Sequence, residues 1–133
     1  MLIGAKSLDI AAAPTHLKSQ YHPSMSHAYH DRVSLEMARI VAAGLPDHPE
    51  WLDLARRNLD NWSERNRDAP RMLRCYDEWR RRLELPVAEI CGILTAETDE
   101  GQRLRQTSPF VGVLSPQEVW HIKRRLRDES SAA

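Results

Sequence analysis

What most constrains this chain is a recurring pairing. A helix-start signal is followed, again and again, by apolar residues at steps of three and four. Ser24 or Ser26 can cap a first helix whose stripe is Tyr29, Val33, Met37, Ile40 and Val41. Gly44 and Leu45-Pro46 end it, because glycine favours the helix C-terminus and proline cannot continue one. Asp47 is the expected cap of a second helix with Pro49 in its first turn. There Trp51, Leu52, Ala55, Leu59 and Trp62 share a face, leaving Arg56, Arg57, Asp60 and Arg65 to solvent. The tryptophans at the two ends of that stripe read as major core anchors.

Asp68-Ala69-Pro70 opens a third helix carrying Leu73, Tyr76, Trp79 and Leu83, with Arg80-Arg81-Arg82 near its C-terminal end, where positive charge complements the dipole. Pro86 opens a short fourth helix with Val87, Ile90, Ile93 and Leu94. Thr98 or Asp99 can cap a fifth through Gln106, with Leu104 as its apolar contact. Thr107–Leu114 is an unusually apolar loop holding the only phenylalanine, Phe110. The last helix has the clearest start, a Ser115/Glu118 capping box with Pro116 at its first position. Val119, Ile122, Lys123 and Leu126 form its stripe, flanked by Trp120.

No segment alternates with the period of two that a strand requires. The reading is therefore all-α: a single compact bundle of about five or six short helices. Its expected parts are an N-terminal arm over 1–24, loosely structured or ordered by a partner, a helical domain over 25–128, and a frayed tail over 129–133. One helical turn is expected around Ser7–Ala13. A length of 133 residues suits one domain.

Charge narrows the function classes. Nineteen basic residues balance nineteen acidic ones, whereas binding to nucleic acid through the overall field calls for a clearly basic chain. Near-neutrality favours association with a partner or a second copy. Cys75 and Cys91 form no CxxC and read as buried thiols. Asp9 interrupts any signal-peptide core, and no apolar stretch is long enough to span a membrane. A cytoplasmic location is expected.

Candidate chemistry is sparse. His22, His27, His30 and Asp31 cluster, and His27 and His30 share a helix face, but the spacing fits no zinc signature. Solvated or capping histidines are the simpler reading. Ser108 and Ser115 lie outside any G-x-S-x-G elbow, and nothing in the spacing pairs Cys75 or Cys91 with a histidine. Glu97, Asp99 and Glu100 sit at a helix start, where the dipole accounts for them. Isolated glycines make no phosphate-binding loop. No catalytic residue, metal or cofactor is expected, and the chain reads as no enzyme.

Basic residues do gather: Arg71, Arg74, Arg80, Arg81 and Arg82, then Arg103, Arg105, Lys123, Arg124, Arg125 and Arg127. Val87–Leu104 has the outline of a helix-turn-helix, with Ala88 and Gly92 at a four-residue step. Thr98 and Gly101 stand where that motif needs apolar residues.

Three further stretches carry a resemblance. Ala55-Arg56-Arg57-Asn58-Leu59 with Trp62, then Glu78-Trp79, then Leu104–Pro116 with Trp120 are similar to a group of small bacterial proteins. That group carries A-R-x-N-L-x-x-W and L-R-Q-x-S-P-F-x-G-V-L-x-P segments and is associated with toxin–antitoxin-like gene pairs beside nucleotidyltransferase-fold proteins. Some of its members are fused to a helix-turn-helix. Val119 departs from the pattern, which commonly has an acidic residue or arginine before the tryptophan, and the N-terminal arm also differs.

The resemblance implies an antitoxin-like protein that binds and inhibits a protein partner, a nucleotidyltransferase-fold toxin. Expected contacts are Arg103, Arg105, Ser108, Phe110, Val111 and Leu114, with the arm contributing. The loop reads either as a clamp, with Phe110 filling the core, or as a partner surface; the clamp is favoured. The alternative function is a DNA-binding transcriptional regulator using Arg80, Arg81, Arg82, Lys123, Arg124, Arg125 and Arg127.

Overall fold

In the computed structural model the described residues are 27–132, with side chains through 129. The expected arm, its Ser7–Ala13 turn, His22 and the Ser24 and Ser26 caps lie outside them. Six α-helices and one turn of 3-10 helix, with no strand, make up the described chain: α1 (His27–Gly44), the 3-10 turn (Leu45–Asp47), α2 (Glu50–Arg65), α3 (Pro70–Arg82), α4 (Val87–Thr95), α5 (Asp99–Arg105) and α6 (Pro116–Ala132). The protein is all-α, as its periodicity predicts. Asp31 onward forms one compact unit. No described helix is long and apolar enough to cross a membrane.

Two helix starts follow the sequence closely. Thr98 Oγ1 accepts from the Gly101 N–H at 3.0 Å. Ser115 and Glu118 satisfy each other reciprocally, Ser115 N–H to Glu118 Oε1 at 2.7 Å and Glu118 N–H to Ser115 Oγ at 3.1 Å. One other differs. Asp47 does not cap α2, because Leu45–Asp47 continues as a 3-10 turn and Pro49 takes the cap position without a side-chain bond. Helix α3 opens at Asp68-Ala69-Pro70 as expected, with Ala69 at the cap position and Pro70 in its first turn. Proline's fixed φ and missing N–H do the work there that a side-chain oxygen would otherwise do. At the other end α6 continues past Asp128 to Ala132.

The core of the unit beginning at Asp31 is built from Ala55, Leu59, Tyr76, Trp79, Ile90 and Leu45, all without solvent contact. Phe110, Leu104, Leu94, Ile122 and Leu126 are nearly as buried. Helices α2 and α3 are extensively packed neighbours, as are α4 and α5. The tryptophans of α2 are less central than their stripe suggests. Trp51 and Trp62 are half-buried: Trp51 stacks on His48 at 4.5 Å, and Trp62 tilts against Tyr76 at 5.7 Å. Ile40, assigned to the α1 stripe, is 39% exposed.

Glycines mark two close approaches. A Cβ at Gly44 would sit 2.5 Å from Trp51 Cη2, and one at Gly101 would collide with the Ala96 carbonyl. Gly92, on an open face of α4, has nothing nearby. Gly101→Ala should therefore destabilise by about 2 kcal/mol, since backbone rather than a flexible side chain must move. Gly92→Ala should stabilise by about 0.5–1 kcal/mol through helix propensity. Urea denaturation of the two variants checks both the signs and the contrast.

Candidate functional site

The α5–α6 loop is held by three devices. The Asn58 side-chain amide on α2 donates to the carbonyls of Pro109 and Val111, both at 2.8 Å. The indole N–H of Trp79 on α3 donates to the Leu104 carbonyl at 3.0 Å, and its ring meets Phe110 edge-on at 6.3 Å. Gly112 then takes φ +98°, a left-handed conformation that costs a side-chain-bearing residue roughly 1–2 kcal/mol.

Phe110 and Leu114 accordingly face the core, Ser108 is half-buried, and Val111 stays 58% exposed. Residues of two of the three stretches that carry the resemblance thus meet, Asn58 from one and Pro109–Val111 from another. Their joint job in this chain is to clamp the fold. Of the apolar loop residues expected to touch a partner, Phe110 and Leu114 are inaccessible and Val111 is available.

The arginines divide in a way spacing does not foretell. Arg105, expected at a partner surface, is buried. Its guanidinium donates to the carbonyls of Leu94 at 3.1 Å and Ala96 at 2.6 Å, satisfying acceptors left open where α4 ends. Burial pulls its pKa below the ordinary value, with Asp31 and Glu97 acting the other way. Arg103 grips Glu78 through two nitrogens, 3.1 and 2.9 Å, and also pairs with Glu100. Arg82 bonds Glu78 at 3.1 Å and lies 3.7 Å from Glu100. Two arginines and two carboxylates therefore bridge α3 to α5.

Arg80 is similarly committed, to Asp77, Asp60, Ser63 Oγ and the Leu59 carbonyl. On α6, Arg125 pairs with Glu36 and Glu129. From the set expected to meet nucleic acid, Arg81 and Arg127 make no ion pair among the described residues, and Lys123 is exposed. Arg124 lies over the Trp120 ring at 5.1 Å.

Trp120, which flanks the last helix's stripe, is a surface residue not among the expected contacts. It lies off the Val119–Ile122–Leu126 stripe and is 54% exposed. That offset from the stripe was the available signal.

The remaining candidates stay apart. His27 and His30 are exposed, and no group of three potential metal ligands exists among the described residues. Asp31 accepts from the Gln102 side chain. Both cysteines are free and half-buried. The Cys91 thiol donates to the Ala42 carbonyl at 3.3 Å, and burial pushes its pKa up, which makes it a poor nucleophile.

Two outcomes are expected. Asn58→Ala strands two loop carbonyls and should cost about 1–3 kcal/mol in urea denaturation. Glu78 is held below the usual carboxylate range first by its Arg103 hydrogen bond and then by Arg82, with burial opposing, and Glu100 is held low chiefly by Arg103. A carboxylate with a depressed folded-state pKa stabilises fully above its unfolded value and loses that contribution as pH falls through the folded one. The melting temperature should therefore fall as pH drops from about 5 toward 3, a window set by the ordinary glutamate value near 4.3. Glu78→Gln should flatten that dependence; an unchanged slope would remove the network from the account. No family model, curated protein or solved structure matches the chain.

Proposed function

We propose that this chain is a non-enzymatic protein-interaction module. In this reading it is the antitoxin-like member of a bacterial toxin–antitoxin or defence pair, binding a cytoplasmic partner and holding it inactive. A nucleotidyltransferase-fold toxin is the partner implied by the resemblance of its Asn58 and Ser108–Leu114 segments.

The observation that carries the reading is Trp120. A tryptophan 54% exposed, with an arginine laid over its ring, combines two residue types that dominate interface hot spots. The ring is large and rigid, and the guanidinium can hydrogen-bond at its edge while stacked. Val111 adds a second exposed apolar side chain, displayed from a loop that Asn58 holds in place.

The DNA-binding alternative has weaker support. Arg80, Arg82 and Arg125 spend their charge on carboxylates of the same chain. Helix α5, which would be the reading helix of a helix-turn-helix, turns Arg105 and Leu104 inward.

Affinity capture from host lysate, with nuclease and at high salt, should recover a stoichiometric protein partner. Trp120→Ala should lower that recovery at least tenfold, about 1.4 kcal/mol or more of binding, while leaving the melting temperature within about a degree. Recovery of nucleic acid alone, lost on adding salt, would overturn the reading in favour of DNA binding.

A further inference from the structure

A groove of about 490 Å³ runs along α3 and is walled on one side by Arg103 of α5. Arg71, Arg74 and Arg81 line it, together with Cys75, and Asp77 and Glu78 form part of the same surface. The two carboxylates are already neutralised, Asp77 by Arg80 at 2.7 Å and Glu78 by Arg82 and Arg103. Arg71, Arg74 and Arg81 have no ion pair or hydrogen bond among the described residues and are exposed. The groove therefore carries uncompensated positive charge on a chain whose formal net charge is zero. It lies next to arginines whose charge is fully used.

We infer that this groove binds an acidic segment of a protein partner, its carboxylates received by Arg71, Arg74 and Arg81. At 1.5 Å rise per residue the three span about 15 Å, which an extended peptide covers in about five residues. Planar guanidinium forks receive carboxylates two nitrogens at a time.

Single-stranded nucleic acid fits less well. No aromatic ring lines the groove for bases to stack on. Several acidic side chains of the chain itself are already committed, Glu97 to Arg39, Glu100 to Arg103 and Glu129 to Arg32 and Arg125. Residues 1–26 hold Lys6 and Lys18 against a single acidic residue, Asp9.

The inference rests on the protein-binding reading only in taking the ligand to be a polypeptide. The site is separate from Trp120, and a synthetic probe tests it directly.

The experiment is fluorescence anisotropy of a labelled octaglutamate peptide with the full chain at low salt. An oligothymidylate of equal charge is run in parallel. Binding of the peptide is expected, weakened at least tenfold by Arg71→Gln/Arg74→Gln/Arg81→Gln. Arg57→Gln/Arg127→Gln, which removes two arginines outside the groove that have no ion pair among the described residues, should change it less than twofold. The triple variant should still capture a partner through Trp120, so failure of one idea is distinguishable from failure of the other. No peptide binding, or equal loss in both variants, would overturn the assignment. So would tighter, groove-dependent binding of the oligothymidylate, which would give the groove to nucleic acid.

Discussion

An indole N–H removed from water must find an acceptor inside the protein. At Trp79 that acceptor is the carbonyl of Leu104, 3.0 Å away at the end of α5. The requirement fixes where α5 stops relative to α3. The ring, so anchored, meets that of Phe110 in a T-shaped contact and thereby positions the loop that leads into α6. Arg105, the next residue after Leu104, reaches back to the carbonyls that end α4. Three helices and a loop thus take their relation from one buried aromatic and the backbone beside it.

Electrostatics in this molecule are mostly internal. Arg32 and Arg125 tie α6 to α1 through Glu129 and Glu36, and Arg39 reaches Glu97 beyond α4. Arg82 and Arg103 tie α3 to α5. Exposed pairs of this kind each contribute little, about 0–1 kcal/mol. Their effect on function is larger than their effect on stability, because a guanidinium already gripped by carboxylate has little to offer a phosphate. A balanced composition therefore conceals an uneven surface, with neutralised helix faces beside arginines that have no ion pair among the described residues.

How much of this was legible in the sequence depends on whether the cause was local. The Ser115/Glu118 box and the Thr98 cap are read from three-residue spacings, and both are present. Helix existence followed from apolar period and proline placement. Asp47 misled because a 3-10 turn used the residues on which a capped start depends. Trp51 and Trp62 misled because a stripe gives direction without depth: both face inward, yet each sits at an edge of the core.

The site was less readable still. Phe110 had two consistent readings until Trp79, 31 positions earlier in the chain, was seen against it. Nothing in the spacing of Arg105 announces that its acceptors are backbone carbonyls. Asn58 was noticed as part of a pattern, but its role depends on a loop 51 residues away.

That distance bears on how the molecule opens. Each helix is a local structure, yet Asn58 joins α2 to carbonyls 51 and 53 residues further along. Such a closure is entropically slow to reach, and once made it is held by the two amide bonds together with the burial of Pro109 and Phe110. Releasing the two amide bonds together with the Phe110 packing on Trp79 would free Pro109–Val111 while leaving α2 and α3 paired, a sub-global opening of the kind that sets a free-energy scale of its own below complete unfolding. The buried face of Phe110 would then come and go as an exposed apolar surface on the timescale of that opening. The clamp is in this sense a latch, and its strength sets how often the hidden side of the loop is presented to the surroundings.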